Sequence, residues 1–313
     1  MTVPVILDCD PGHDDAFAIL LAAGSPLADL RAITTIGGNG TLEAVTENAR
    51  RVCTLAGIRD VPIAAGAAGP LRGDLETAAD VHGESGLDGP ELPDPDVDLD
   101  PRGAVELMAD VLRDADEPVT LVATGPLTNV ALLVQSAPDA LRGLREIVWM
   151  GGSRGRGNRT PYAEFNAWVD PEAAEIVIAG DMPFTLVGLH LTHQALATPE
   201  VVERIRGVDG ALGAVAADWL GFFSSTYRQI WGIDAPLHDP CALALALDPS
   251  IATFEDAFVA IETQGRWTRG ATVIDPYGRL GREPNARVAL EIDVERFWAM
   301  LVAAIGAVGA ATA

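Results

Sequence analysis

The segment from Val5 to Ala23, VILDCDPGHDDAFAILLAA, constrains the fold of this chain more than any other. It begins with an apolar run, VIL, that predicts a buried strand. It ends with the run AFAILL, whose composition favours a helix. Pro11 and Gly12 predict a turn between the two. The segment therefore predicts a first strand that passes directly into the first helix.

Four carboxylates lie within eight residues of this segment, at Asp8, Asp10, Asp14 and Asp15. Without other partners they repel one another. Asp14 or Asp15 can accept hydrogen bonds from the free N–H groups at the helix start, which offsets part of the repulsion. Because capping needs only one aspartate, the surplus predicts a divalent cation. An all-oxygen set of ligands favours Ca²⁺ or Mg²⁺ over zinc.

Strand and helix patterns alternate along the rest of the chain, which predicts an α/β fold with a largely parallel sheet. The later predicted strands are apolar runs at 30–36, 61–65, 119–123, 146–150, 184–188, 257–262 and 271–274. Two segments, 66–102 and 153–166, lack a regular pattern, and a loop as long as the first is usually functional or disordered. Neither an internal repeat nor a linker stands out, so we expect a single domain, 1–313.

The composition narrows the class of protein. The formal net charge is −24, which argues against nucleic acids and anionic membranes as partners. The three cysteines, Cys9, Cys53 and Cys241, show no zinc-binding spacing, so we expect reduced thiols in a cytoplasmic protein. The first strand begins without a basic leader, which predicts no signal peptide. The apolar run from Trp298 is short for a membrane span and predicts a packing helix.

The unusual polar residues share one predicted location. They follow the carboxyl ends of predicted strands or lie in the irregular loops, and in open α/β sheets that edge holds the functional site. The candidates are the aspartate cluster, Asn39, His82, Thr124, Asn158, Glu164, Asn166, His238 and Asp239.

Seven segments between residues 5 and 247 carry these side chains. In order they are LDCDPGHDDAFAILLA, TTIGGN, VHGESGLDG, ATGPLTNVA, MGG, GNRTPYAEFNAWVDPEAA and LHDPCALA. This series resembles the motifs of the inosine-uridine nucleoside hydrolase family. The resemblance implies an open α/β fold, in which helices flank a mostly parallel central sheet. It also implies one bound Ca²⁺, hydrolysis of the N-glycosidic bond of ribonucleosides, and a homodimer or homotetramer.

The resemblance further implies roles for individual positions. The calcium ligands would be Asp10, Asp15, the backbone carbonyl of Thr124, and Asp239. The substrate contacts would be Asp14, Asn39, His82, Met150, Asn158, Glu164, Phe165, Asn166 and Asp239, with His82 and His238 on the base side. Asp10 would also be the general base. No role is assigned to His13, whose position varies in the family.

The chemistry of glycosidic cleavage is consistent with these roles. The reaction needs an activated water, stabilisation of positive charge on the sugar, and a proton for the leaving base. A divalent cation can hold the water and the adjacent hydroxyls together. His238 is the expected proton donor, because histidine titrates near neutrality. The preferred base stays open, and most aromatic side chains of residues 219–231 are predicted to be core.

Each residue also has an ordinary structural explanation, such as a cap at Asp15 or a turn at Asn39. These explanations do not account for the shared sheet edge. Two other functions are compatible with parts of the pattern. A haloacid-dehalogenase-like phosphatase would use Asp8 as nucleophile and Asp10 as acid/base, but it would need a cation such as lysine, and the chain has none. A non-catalytic nucleoside-binding protein would keep the sugar contacts without a base beside the metal.

Overall fold

The computed structural model describes residues 2–83 and 85–312. Within them the chain forms nine strands and twelve helices. The strands are β1 Val3–Cys9, β2 Ala28–Thr35, β3 Ile63–Ala65, β4 Val119–Ala123, β5 Leu144–Met150, β6 Phe184–Val187, β7 Ala252–Ile261, β8 Thr272–Asp275 and β9 Ala286–Ile292. The helices are α1 His13–Gly24, α2 Leu42–Leu55, α3 Ala79–His82, α4 Ala104–Arg113, α5 Thr128–Ser136, α6 Phe165–Val169, α7 Pro171–Ile178, α8 Leu189–Thr192, α9 Pro199–Arg206, α10 Ala211–Trp231, α11 Asp239–Leu247 and α12 Val294–Thr312.

All nine strands belong to one sheet, in the order β3-β2-β1-β4-β5-β6-β9-β7-β8. The strands from β3 to β9 run parallel, whereas β7 is antiparallel to β9 and β8 is antiparallel to β7. The predicted α/β fold with an open, mostly parallel sheet is therefore confirmed. The strand order reverses direction between β1 and β4, and such a switch point opens a crevice at the carboxyl ends of the strands.

The central strand β1 is held on both edges and both faces at the switch point. Val5, Ile6, Leu7 and Asp8 pair with β2 on one side and with β4 on the other, and all four are buried. A strand paired on both edges and covered on both faces needs the continuous apolar run that the sequence has here. The residues after β1 therefore emerge at a fixed position in the crevice.

Helices cover both faces of the sheet. Helices α1, α11 and α12 pack on one face, and α4, α5 and α7 pack on the other. Helix α12 is, within 2–83 and 85–312, the one helix that is long and apolar enough to cross a membrane by length and composition alone. Its side chains Phe297, Trp298 and Leu301 are buried in the core, as the predicted packing helix requires.

The prediction missed β9. This strand lies between β6 and β7 and joins the parallel part of the sheet to the antiparallel part. Its charged residues, Arg287 and Glu291, interrupt the apolar pattern, and Arg287 pairs with Glu146 of β5. Because its position depends on pairing with β6 and β7, which are distant in the sequence, local periodicity did not identify it.

Candidate active site

The aspartate-rich turn after β1 folds around Asp15. One carboxylate oxygen, Oδ2, accepts from the backbone N–H of Gly12 at 3.1 Å and caps helix α1. The other oxygen, Oδ1, accepts from the N–H of Asp10 at 3.3 Å and from the hydroxyl of Thr124 at 2.8 Å. One of the two predicted capping aspartates thus caps the helix, and the same side chain connects β1 to the loop after β4.

Asp10 is fully buried beside this turn. Its Oδ2 accepts from the backbone N–H of Asn39 at 2.7 Å. Its Oδ1 has no hydrogen-bond partner among the residues that the structure describes. Two glycines make room for the carboxylate, because a Cβ atom at Gly38 or at Gly125 would collide with its oxygens. A buried acceptor without a partner costs free energy, and a ligand such as a cation would satisfy it.

Asp239 reaches the same place from the far end of the chain. It is the first residue of α11, and its carboxylate lies with those of Asp14 and Asp15 in a group whose ligand oxygens are all within 4.8 Å of one another. The predicted carboxylate ligands were Asp10, Asp15 and Asp239. The observed group shares Asp15 and Asp239 with that set but contains Asp14 in place of Asp10. Asp10 lies against Asp15 through its backbone N–H, so the four aspartates form one buried acidic floor.

The pKa values of this floor show how unfavourable the bare carboxylates are. Burial raises the pKa of Asp14 to about 7, with a smaller contribution from the charge of Asp15. Burial, and then the neighbouring carboxylates, raise the pKa values of Asp10 and Asp239 well above the usual range. Among the described residues, no arginine pairs with these four aspartates, and Arg159, which lies in the cavity wall, pairs with Glu76 and Asp80 instead. The donor set, the orphaned oxygen of Asp10 and the mutual repulsion all fit a hard divalent cation.

A second set of polar groups stands beside the acidic floor. Glu164 is the N-cap of α6, and its carboxylate accepts from three backbone N–H groups, those of Gly152, Asn166 and Ala167, at 2.9 to 3.1 Å. Burial raises the pKa of Glu164 to about 7 despite these bonds. The amide of Asn166 donates to the carbonyl oxygens of Thr124 at 2.8 Å and Met150 at 2.9 Å.

Asn158 stands at the end of this set. Its Oδ1 accepts from the N–H of Phe165 at 2.9 Å. The loop 153–164 is therefore tied to α6 by a side-chain contact, which places Asn158 and Glu164 on the same side of the floor. These hydrogen bonds fix the orientations of the amide and carboxylate groups of this set.

Aromatic and imidazole side chains form the opposite wall. Nδ1 of His238 lies 2.8 Å from the hydroxyl of Thr192, and Nε2 lies 2.8 Å from the hydroxyl of Tyr227. Burial holds the pKa of His238 well below its usual range, so its imidazole is neutral at pH 7. His82 is also buried, and its ring stacks on Phe223 with centroids 5.3 Å apart.

These walls surround an open cleft of about 600 Å³, a volume that includes space open to solvent. It is lined by the predicted residues Asp14, Asn39, His82, Thr124, Met150, Asn158, Glu164, Phe165, Asn166, His238 and Asp239. Asp10 and Asp15 lie beneath its surface with no exposed area. Eleven of the thirteen predicted residues thus line one cavity, and the remaining two support its floor.

Part of the cavity wall was not predicted from the sequence. Asp80, Val81 and Arg159 also line the cavity, and Arg159 forms ion pairs of 3.5 Å with Glu76 and Asp80. These residues lie in the two irregular segments, where no pattern singled them out.

Helix α10 contributes both to the core and to the cavity. Trp219 is fully buried and packs on Phe17, but the prediction that most aromatic residues of this segment are core is wrong. Phe223, Tyr227 and Trp231 instead line the cavity. Their spacing of four residues places them on one face of the helix, and that periodicity was the available signal.

The geometry also bears on the phosphatase alternative. The carboxylate of Asp8 is fully buried, and its Oδ1 accepts from Thr34 at 2.6 Å and from Asn129 at 2.8 Å. Asp8 does not line the cavity. An aspartate in this position cannot reach a phosphate as a nucleophile, so Asp8 has a structural role that connects β1, β2 and α5.

An open α/β sheet with a buried acidic cluster in a cleft at its switch point is typical of an α/β enzyme that binds a small molecule there. The sequence profile described as inosine-uridine preferring nucleoside hydrolase matches residues 5–299. The chain belongs to this family, and it is a ribonucleoside hydrolase that cleaves N-glycosidic bonds.

Similar proteins agree with this assignment. The chain is 50% identical over 299 residues to the pyrimidine-specific ribonucleoside hydrolase RihA of Citrobacter koseri, covering 95% of this chain and 96% of that protein. The Escherichia coli protein of the same name is 48% identical with the same coverage. Among solved structures, the purine-preferring ribonucleoside hydrolase of Gardnerella vaginalis superposes with a TM-score of 0.91 at 31% identity. The superposition covers 98% of this chain and 99% of the Gardnerella vaginalis chain.

Proposed function

We propose that this enzyme hydrolyses pyrimidine ribonucleosides to ribose and free base, with Asp10 as general base beside a bound Ca²⁺. The observation that carries the proposal is the convergence of Asp14, Asp15 and Asp239 within 4.8 Å, next to a buried Asp10 oxygen that has no described partner. Acidic residues brought together from distant parts of the chain repel one another, and a shared cation would offset that repulsion.

The residues that would hold the ion are Asp10, Asp15, Asp239 and the carbonyl of Thr124, with Asp14 as an additional oxygen in the same group. Hard oxygen ligands of this kind suit calcium and magnesium, and the family resemblance favours calcium. The bound ion would supply Lewis acidity at a water molecule and at the sugar hydroxyls.

The protein's own groups account for the remaining requirements. Oδ1 of Asp10 is available to take a proton from water, because Asn39 occupies only Oδ2. Asp14, Asn39 and Asn166 offer acceptors and donors for the hydroxyls of the ribose. Glu164 and Asn158 place negative and dipolar groups where the sugar becomes cationic.

His238 is the proposed proton donor for the leaving base. Burial lowers the pKa of His238, so the ring would not act as an imidazolium acid but as a neutral relay. One ring nitrogen would release its proton towards the base while the other takes a proton from the hydroxyl on its own side, so the ring stays neutral. Tyr227 lies 2.8 Å from Nε2, so it would share that proton or transmit it towards the base. His82, Phe223 and Trp231 complete an aromatic wall on which a planar base can stack.

The pyrimidine preference is supported by the relatives. Those at 48 to 50% identity are named pyrimidine-specific, whereas the purine-preferring structure is only 31% identical. Initial rates on uridine, cytidine, inosine and adenosine test the preference. We expect kcat/KM for uridine or cytidine to exceed that for inosine by at least about tenfold; equal or higher values for inosine would overturn it.

The proposed assembly is a homodimer or homotetramer in the cytoplasm. The described surface exposes Trp267, Tyr277 and Leu280 near the β7–β8 hairpin, and exposed aromatic groups of this kind are common at subunit contacts. The three cysteines are free and buried, consistent with a reducing compartment. Light scattering on the purified protein tests the assembly, and a mass near 32.7 kDa would refute it.

Metal removal tests the calcium itself. After chelation and removal of the chelator, we expect turnover to fall at least 100-fold and the thermal midpoint to fall, with both restored by added calcium. The exposed residue Asp209 offers a control, because D209N should respond to chelation as the wild type does. Full activity in protein shown to be metal-free would refute the metal's role. Binding of uridine without release of uracil would instead favour the nucleoside-binding alternative.

A further inference from the structure

His13 and His82 form a buried pair beside the cavity. Nδ1 of His82 lies 3.2 Å from Nδ1 of His13 and 3.3 Å from its backbone nitrogen. Because Nε2 of His13 donates to a backbone oxygen, Nδ1 of His13 is an acceptor, and Nδ1 of His82 donates to it. In this tautomer the contact with the backbone nitrogen is not a hydrogen bond. The rings stack with their centroids 5.4 Å apart and their planes within 19°. His13, to which the sequence assigned no role, thus contacts a proposed base-side residue that lies 69 positions away.

The ring of His13 is itself held firmly. Its Nε2 lies 2.7 Å from the backbone oxygen of Asp88, which accepts its proton. Phe222 and Phe223 of α10 stack on it at 5.2 and 5.3 Å, with planes within 10°. The ring projects from the start of α1, and two other segments, the loop at Asp88 and helix α10, fix its position. A ring fixed in this way can serve as a support for its neighbour.

Gly12 permits the close approach of the pair. A Cβ atom at this position would lie 2.7 Å from Nδ1 and 2.8 Å from Cε1 of His82. Any other residue would push the imidazole away from the start of α1. Gly12 thus leaves space for the His82 ring, and the next residue, His13, supplies the group that binds it.

His82 needs such a support because its own element is short. It ends α3, a helix of four residues within the long irregular segment between β3 and α4. Its Nδ1 is engaged by His13, and no residue in the described ranges bonds to its Nε2. Since His82 lines the cavity, Nε2 is the nitrogen that remains for a ligand.

We infer that His13 is a positioning residue that binds Nδ1 of His82 and so presents Nε2 of His82 to the nucleobase. The inference rests on the proposed function, because it takes His82 as a contact of the base. His13 lies in the same turn as Asp10, Asp14 and Asp15. This one turn would then position both the carboxylates on the sugar side and the imidazole of His82 on the base side.

Kinetics of four variants test this inference. H13F keeps a stacked ring without a polar nitrogen, H13N keeps a polar atom close to the position of Nδ1, and H82A removes the positioned ring. With uridine, we expect H13F to lower kcat/KM about tenfold, the effect of one lost hydrogen bond to a positioned group. H13N should retain most of the wild-type value. If the loss of kcat/KM in H82A comes mainly from KM, the loss in H13F should also come mainly from KM, and likewise for kcat.

The double variant H13F/H82A provides the sharpest comparison. If His13 acts through His82, the double variant is no less active than H82A alone. An H13F enzyme as active as the wild type, or losses that add fully, would overturn the inference. If H13F does not fold, H13L replaces it with the same expectations.

A measurement without turnover separates this inference from the proposed function. In substrate-free protein with ¹⁵N-labelled histidine, the His82 signals are identified by their loss in H82A. We expect the Nδ1 resonance of His82 to shift in H13F, and an unchanged resonance would overturn the inference. A wild-type enzyme that cleaves no nucleoside would contradict the proposed function but would leave this result standing.

Discussion

The hydroxyl of Thr124 donates to Oδ1 of Asp15 across 2.8 Å, although 109 residues separate the two in the chain. This bond joins the turn after β1 to the turn after β4 at the switch point of the sheet. Asp15 also caps α1, so one carboxylate orients the helix, the neighbouring strand loop and the acidic floor together.

Replacing Thr124 tests the importance of that bond. T124V keeps the shape of the side chain but leaves Oδ1 of Asp15 with one donor fewer, whereas T124S keeps the hydroxyl. We expect T124V to lose about 1 to 3 kcal/mol of unfolding free energy and at least about tenfold in kcat/KM. T124S should stay close to the wild type. Urea unfolding and uridine kinetics measure both effects, and equal behaviour of the two variants would refute this role.

A steric prediction concerns Gly38. In G38A the new Cβ would collide with Oδ2 of Asp10 and displace the carboxylate. We expect turnover to fall at least 100-fold. G221A is the matched control, because a Cβ there meets open space within α10, and it should stabilise the protein by about 0.5 to 1 kcal/mol without loss of activity. Comparable activity in G38A and G221A would show that the packing around Asp10 tolerates displacement.

The raised pKa of Glu164 predicts a dependence of stability on pH. Its pKa rises from 4.5 to about 7 on folding because of burial, so its contribution is fully present below pH 4.5 and is lost as the pH rises towards 7. E164Q removes this titration. The stability of the wild type relative to E164Q should therefore fall by up to about 3 kcal/mol between pH 4.5 and 8. Urea unfolding of both proteins across this range measures the difference. A constant difference would show that Glu164 does not titrate in this way.

The role of His238 can be separated from binding by changing the leaving group. H238A should lower kcat for uridine about 10²- to 10⁴-fold, the range expected for a lost general acid. For p-nitrophenyl riboside, whose leaving group departs as an anion without a proton, the loss should be below about tenfold. Equal losses on both substrates would assign His238 to positioning or to binding instead.

The acidic floor and the sugar side could be predicted from the sequence. Most of their residues follow strand ends or lie in the loops after them, and parallel strands carry such residues to one edge of the sheet. Asp239 is different, because it follows α10 and its role came from the family resemblance. Asp10, Glu164 and Asn166 were located in this way. The α/β fold could also be predicted, because buried parallel strands have continuous apolar sequences that can be recognised.

The base side could not be predicted to the same depth. The contact of His13 with His82 depends on how an irregular segment folds over α1. The bond between Tyr227 and His238 depends on where α10 crosses the cavity. Strand β9 was missed for a similar reason, since its place follows from partners rather than from its own pattern. Each of these features depends on tertiary contacts that have no local period.

The central claim is that the orphaned oxygen of Asp10 activates water within a calcium-binding floor. The most direct test is the kcat of D10N for uridine at saturating calcium, with folding checked by the thermal midpoint. The account predicts a folded protein whose kcat is at least about 10³-fold below that of the wild type. A folded D10N enzyme with a kcat within about threefold of the wild type would contradict it.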